Sequence, residues 1–411
     1  MKRNRIAVNL VTVLFVAVAT SRAFSEPGDG IKVGDVLLHP YVDASVSYDN
    51  NPLLSGKGQE VEDSFLDFSP GLNLTKISDA MRLDGLFWSR FRRYDKFHNE
   101  NRDDLSEELR LVLGRMEDWR LRLNERYGRV SDYDVAGVTS ADIADQTITP
   151  LSMEDRSQRV NRDILNAGFG VEGPLTDKMS MDGLFDYGKV DYLTPGLLDT
   201  AEERVSVKVA RKVSTKSSAI LVGDYIRMDN DSLPHPANYY AGRVGWQWQG
   251  TDKSSFEGSI GAYDFSGTDQ NNGGAGSQGG VSYNVAWSWR ATSKLLVTIG
   301  GRNEMQLSVD TPQNSYMTRL VSGSARYSIT ERTVFALMLG YRNDNYDSTE
   351  TAIDGELVKR KLESLHYGLR ADHQLLKWLK IYGEAWREDT EDNARGDYDE
   401  MRVTLGLKAE Y

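Results

Sequence analysis

The sequence predicts an all-β protein that crosses a membrane as a single antiparallel up-and-down barrel of eighteen strands. Runs with alternating apolar and polar residues recur along the chain, as in strands with one apolar face. Tight turns and long polar loops connect these runs alternately. The last run, residues 401–411, alternates without a break and ends on an aromatic residue. Sixteen strands is the alternative, because the runs that end at Gly114 and Gly170 are short.

The amino terminus predicts a secretory signal peptide over residues 1–25 that is removed from the mature protein. A basic head that includes Arg3 and Arg5 precedes an apolar stretch over residues 6–19, and small residues follow it. A stretch of about 14 residues is too short to span a bilayer comfortably as a helix. We expect a short periplasmic lead-in over residues 26–36 and the barrel over residues 37–411.

The composition is compatible with membrane strands and argues against other classes. The chain has 411 residues, 39% hydrophobic and 27% charged, and no Cys that could form a disulfide or carry a lipid. No apolar run after residue 25 approaches the length of a membrane-spanning helix. Strands need only about ten residues each, with one apolar face. A net charge of −12 argues against nucleic acid as a partner.

The strands are placed by the tight connections between them. The connections centre near Ser78, Arg115, Pro174, Lys216, Thr251, Thr292, Glu331 and Lys377. Each interval fits two strands and one long loop. The predicted strands are 38–48, 65–76, 81–93, 108–114, 119–130, 163–170, 179–192, 203–212, 218–228, 239–249, 254–265, 280–291, 294–309, 316–329, 333–343, 362–375, 379–388 and 398–411.

Alternation within the strands assigns a lipid-facing and a lumen-facing side. In the run 281–290, Val281, Val285 and Trp289 alternate with polar residues such as Ser282 and Arg290. A soluble β-sandwich with one wet face shows the same period. The sandwich does not account for the signal peptide, the terminal aromatic residue and the unequal loops together, so the sequence favours the membrane barrel.

The predicted lumen face is rich in basic residues. They are Arg82, Arg90, Arg92, Arg110, Arg120, Arg122, Arg126, Arg204, Lys208, Arg243, Arg290, Arg302, Arg326, Arg370, Arg402 and Lys408. Acidic residues on this face are expected to be fewer. A confined pore lined with Arg favours anions. The alternative is a wall of self-neutralising Arg and carboxylate ladders with a structural role only.

The longest connection, residues 131–157, is the third loop on the long-loop side. It contains more apolar residues than a fully solvated loop needs, among them Val135, Ile143, Ile148, Leu151 and Met153. The sequence therefore predicts that this loop folds inward as a constriction or a plug.

The sequence does not predict an enzyme, a cofactor or a metal site. The five His residues are scattered, and none lies in a metal-binding spacing. His98 with Asp103 is the one pair compatible with a rim-located hydrolase, and a loop His without a function is the expected reading.

Two stretches resemble known outer-membrane barrels. Residues 401–411, which end on Tyr411, resemble the carboxy-terminal insertion signal that the barrel-assembly machinery reads. Residues 39–51, from His39 to Asn51, followed by residues 67–72, resemble the start of barrels grouped as beta-barrel porin 2. The resemblance implies an outer-membrane location in a Gram-negative-type bacterium, contact with outer-membrane lipid and lipopolysaccharide, and a link to an exopolysaccharide export apparatus.

These observations lead to two expected functions. The first is a porin-like channel that passes small anionic solutes or anionic polysaccharide through an Arg-rich lumen. The second is a non-conducting structural or adhesive barrel that is plugged by residues 131–157. An even number of strands places both termini in the periplasm.

Overall fold

The protein is described from a computed structural model, which defines residues 27–115, 118–130, 161–193, 197–230, 235–251, 253–268, 275–307, 315–352 and 355–411. The first strands are β1 (Ile31–Val33), β2 (Val36–Asp49), β3 (Asp63–Ser78), β4 (Met81–Tyr94), β5 (Arg102–Leu113), β6 (Arg120–Val130), β7 (Arg162–Thr176), β8 (Met179–Tyr192) and β9 (Thr200–Lys212). The remaining strands are β10 (Ser217–Asn230), β11 (Ala237–Thr251), β12 (Ser254–Thr268), β13 (Ala275–Arg290), β14 (Leu295–Leu307), β15 (Ser315–Ser328), β16 (Thr333–Thr351), β17 (Leu357–Leu376), β18 (Leu379–Asp392) and β19 (Tyr398–Glu410).

Strands β2 to β19 form one closed antiparallel barrel. Each strand pairs with the next along the chain, and β19 pairs back onto β2. The predicted eighteen-stranded, all-β barrel is confirmed, and the alternative of sixteen strands is wrong. The two strands that looked short in sequence are full length, since β5 and β7 span 12 and 15 residues. One element was not predicted: β1 adds a three-residue hairpin to β2.

The outer face of the barrel is apolar, as alternation requires. Val46, Leu221 and Leu405 are 47%, 57% and 61% exposed, and each lies on the side of its strand opposite to the charged residues. In a soluble protein such a continuous apolar belt would be exposed to water at great cost. The closed sheet with this belt defines a transmembrane barrel, in which backbone groups are paired between strands and apolar side chains face lipid.

The short turns at one end of the barrel share a sequence pattern that explains why they form. Five of them contain Ser or Thr followed two residues later by Lys or Arg, and the side-chain oxygen of the first accepts the backbone N–H of the second. The pairs are Thr176 with Lys178, Ser214 with Lys216, Thr251 with Lys253, Thr292 with Lys294, and Thr330 with Arg332. This end is called the short-turn end below, and the opposite end the long-loop end.

The seam between β19 and β2 runs over residues 402–410 and 41–49. On its lumen side Arg402 donates to Asp49 at 3.1 Å and to Glu400 at 2.9 Å. The rings of Tyr41 and Tyr382 lie against the wall over Gly71 and Gly406, where any Cβ would collide with them. The seam is therefore held by backbone pairing, by a buried ionic cluster and by aromatic packing on both sides.

Replacing Asp49 by Asn tests the contribution of the ionic cluster to closure. Asp49 is fully buried, and Arg402 keeps Glu400 in the variant. We expect a loss of about 1–3 kcal/mol of stability, because a buried charged donor loses one acceptor. The measurement is the temperature at which the folded barrel converts to the unfolded band on a semi-native gel. Lys361→Gln, which breaks an exposed pair with Glu363, serves as control with an expected change below about 1 kcal/mol. Equal shifts in both variants would contradict the assignment.

Candidate functional site

The candidate functional site is the lumen of the barrel. An eighteen-stranded barrel is too wide for side chains from the wall alone to fill it, so its interior is a channel unless something folds into it. The strand register places on the lumen face all sixteen basic residues that the sequence assigned there. The contents of the lumen and the partners of these residues decide what the site can do.

The described wall does not carry the expected excess of basic residues. The register also turns inward acidic residues that the sequence analysis did not assign to this face, among them Asp49, Asp63, Asp67, Asp104, Glu172, Glu202, Asp224, Glu304, Glu388, Asp392 and Glu400. Many of them lie at the long-loop ends of strands. The sequence-based boundaries stopped short there, since the predicted strands 38–48 and 65–76 exclude Asp49 and Asp63.

Most of the predicted basic residues are paired with these acids. Arg90 donates to Asp104 at 2.6 Å, and Arg92 donates to Asp67 at 2.8 Å. Both pairs join residues that lie directly opposite each other on neighbouring strands. Arg of this kind is held in place by a bidentate carboxylate, so it rigidifies the wall and offers little net charge to a passing solute.

Three of the predicted basic residues differ from the rest. Arg126, Arg290 and Arg326 have no acidic side chain within salt-bridge distance among the residues that the structure describes. Arg290 and Arg326 are exposed at the short-turn end, and Arg126 is half-buried on β6. The positive charge available to solute is therefore concentrated at these positions.

The barrel wall is incomplete between β13 and β14. These strands pair only from Arg290 with Leu296 to Asn284 with Arg302. Beyond that point residues 275–283 of β13 pair only with β12, and residues 303–307 of β14 pair only with β15. The side chain of Asn303 closes the end of the split: it accepts the N–H of Tyr283 at 2.8 Å and donates to the C=O of Val281 at 2.5 Å.

Above the split, the ends of β14 and β15 fold into the lumen. We call residues 303–307 and 315–318 the inward end. Residues 303–307 are buried on both faces of the strand, and so are residues 316–318, as expected for a hairpin end with protein on both sides. The inward end, and not a loop that the sequence analysis identified, is the described segment that narrows the channel. Residues 131–157, which were predicted to do so, lie almost wholly outside the described residues.

An apolar cluster holds the inward end against the opposite wall. Met305, Leu307 and Met317 pack with inner-face residues of β10, β11 and β12, which include Ile226 and Phe265. Alternation along β14 and β15 would turn the three former residues outward to lipid. Their burial shows that the ends of these strands have left the line of the wall.

An ion pair ties the same segment to β9. Glu304 of the inward end accepts from Arg204 of β9, which also donates to Glu202. Four strands, β10 to β13, lie between β9 and β14 in the wall, or about 24 Å along the sheet at about 4.8 Å per strand spacing. The two side chains meet because the wall curves tightly here and because the end of β14 lies inside.

The rim at the long-loop end is acidic and stays ionised. Between β2 and β3, the Tyr48 hydroxyl donates to Glu62 at 2.6 Å and lowers the pKa of that carboxyl. The backbone N–H of Gly58 donates to Glu60 and lowers its pKa as well. Fixed negative charge at this rim lowers the local concentration of anions that approach from this side.

The described residues offer no alternative chemistry. They contain no group of three or more His, Asp or Glu side chains arranged to hold a metal ion. His98 contacts the C=O of Tyr94 at 3.0 Å, and Asp103 pairs with Arg93 at 2.7 Å, so these two residues are engaged elsewhere. Within the described part of the chain no helix is long and apolar enough to cross a membrane.

The fold and lumen define the class of this protein as an eighteen-stranded transmembrane β-barrel. No protein-family model matches the chain, and no curated protein matches it. Solved structures similar to it include the outer membrane protein OpdK of Pseudomonas aeruginosa, with a TM-score of 0.47, 10% identity, and coverage of 91% of this chain and 99% of that one. The outer membrane channel DcaP of Acinetobacter baumannii has a TM-score of 0.45 and 12% identity over 93% of this chain and 99% of that one. The FrpB iron transporter of Neisseria meningitidis has a TM-score of 0.46 and 8% identity, with 95% and 82% covered.

The Asn303 side chain is expected to limit how far the split extends. In Asn303→Ala, the N–H of Tyr283 and the C=O of Val281 lose their partner, and each unsatisfied group costs about 1–3 kcal/mol where water is scarce. We expect faster hydrogen exchange at the Tyr283 amide, read by mass spectrometry of the folded barrel. Asn284→Ala, at the exposed neighbouring position, is the control. Unchanged exchange at Tyr283 would show that the bridge is dispensable.

Proposed function

We propose that the protein is a passive outer-membrane channel for small hydrophilic solutes. The observation that carries the proposal is the closed barrel of eighteen strands with an apolar outside and a charged inside, because this circumference leaves an aqueous path and not a packed core. We assign the short-turn end to the periplasm and the long-loop end to the cell surface, in line with the usual distribution of loops.

The proposed channel favours small anions modestly. Arg126, Arg290 and Arg326 carry positive charge that the described acids do not neutralise, whereas the remaining predicted Arg residues are mostly paired. Small solutes fit the described lumen better than a polymer, because the inward end occupies part of the cross-section. Passage of an anionic polysaccharide would require the inward end to leave the lumen.

A second candidate function is a closed structural or adhesive barrel. The observation in its favour is the inward end itself, which fills the lumen beside β10 to β12 with a packed apolar cluster. In this reading the acidic loops make the contacts and no solute passes. The two candidates differ in a single measurable property, ion conductance.

Planar-bilayer recordings of the purified barrel distinguish the candidates. We expect stepwise conductance increases on insertion of the wild-type protein. A variant in which residues 303–318 are replaced by a Gly-Ser linker of equal length should conduct more, because the lumen is wider. If neither protein conducts, the channel proposal fails and the closed barrel remains.

The charge preference is tested in a salt gradient. For the triple variant Arg126→Gln, Arg290→Gln, Arg326→Gln we expect the anion-to-cation permeability ratio to fall about twofold to threefold, because three lumen charges that attract anions are removed. The measurement is the reversal potential.

The matched control changes the same total charge on the outside of the barrel. Arg211, Arg227 and Arg319 face outward and are exposed, so their replacement by Gln should leave the reversal potential unchanged. A cation-selective wild type would overturn the proposed anion preference, and equal shifts in both triple variants would show that lumen position does not matter.

A further inference from the structure

The two edges of the split between β13 and β14 are complementary. Continuing the register that pairs Asn284 with Arg302 would place Val281 opposite Met305 and Gly279 opposite Leu307. The same register would turn Met305 and Leu307 to lipid, in line with Val297 and Ile299 on the same strand. The sequence of this stretch therefore suits a complete wall, although the structure shows the end of β14 inside the lumen.

The contacts that hold the inward end in the lumen have close substitutes in the wall. The apolar side chains of Met305, Leu307 and Met317 would exchange a packed protein cluster for lipid, which is similarly apolar. The backbone of residues 303–307 would gain hydrogen bonds to residues 279–283, which have no strand partner on that side. The ion pair between Glu304 and Arg204 would be lost, but Arg204 keeps Glu202 and Glu304 keeps Arg302 as a neighbour.

We propose that the inward end is a gate with two positions. In the described position it lies in the lumen, fixed by the Glu304 and Arg204 ion pair and by the apolar cluster. In the second position β14 pairs with β13 along the whole split, the wall is complete and the lumen is wider. This inference rests on the proposed channel function and adds its regulation. Because gains and losses are of the same kinds in both positions, both are populated.

The ion pair is the contact specific to the closed position, so weakening it should favour the wide one. In Glu304→Gln we expect the ratio of high-conductance to low-conductance dwell times to rise about tenfold, since a charge-assisted hydrogen bond is lost only in the closed position. Glu257→Gln is the matched control. It removes the carboxylate partner of Lys208, another β9 residue, without touching the inward end, and should leave the ratio unchanged.

A disulfide can capture the wide position directly, because the chain has no native Cys. In Val281→Cys with Met305→Cys the two thiols are directly opposite only when β14 pairs with β13. Oxidation should link them and raise conductance, and reduction should restore the wild-type level. The control pair, Trp287→Cys with Ile299→Cys, lies in the part that is already paired and should cross-link without a change in conductance.

The cross-link is read on a gel and does not depend on conductance, so the two proposals fail separately. If the Val281 and Met305 variant forms no disulfide, alone or combined with Glu304→Gln, the gate is refuted even if the barrel conducts. If the disulfide forms and conductance does not rise in a conducting barrel, the gate is refuted as well. If no variant conducts, the channel proposal fails, and the cross-link alone decides whether the inward end moves.

Discussion

The structure depends on the requirement that backbone polar groups in a membrane find partners within the protein. This requirement closes β2 to β19 into a barrel and joins β19 to β2. The split between β13 and β14 is the described departure from it. There the side chain of Asn303 supplies two hydrogen bonds that a backbone would otherwise supply. The channel-narrowing inward end exists because the ladder is allowed to stop at this residue.

Charge inside the barrel follows a second constraint, the cost of removing ions from water. Arg90, Arg92 and Arg402 are buried against carboxylates on neighbouring strands, and Phe65 packs between the guanidinium groups of the last two, at 4.0 and 5.3 Å from its ring centre. Pairs of this kind hold the wall rigid on one side of the lumen, whereas the opposite side carries the apolar cluster. The interior is thus divided into an ionic side and an apolar side.

The sequence predicted the fold well because alternation and turn chemistry are local. The eighteen strands, the outward apolar belt and the turns near Lys216 and Thr292 all follow from residues within a few positions of each other. The acidic side of the lumen was underestimated because strand ends near polar loops have no periodic signal. The inward end was not predicted at all, since Met305, Leu307 and Met317 read as ordinary lipid-facing residues. Their burial depends on contacts with β10 to β12, and no local pattern reports contacts between distant strands.

The repeated Ser/Thr turns also bear on how such a chain assembles. Each turn fixes the register of its own hairpin through hydrogen bonds between residues two or three positions apart, so hairpins form early and independently. The seam is different in kind, since Arg402 and Asp49 are separated by 353 positions. Closing so long a loop is slow, and it offers no reward until the last strand arrives. The order of assembly is therefore written into the turns: local pairs first, the ring last.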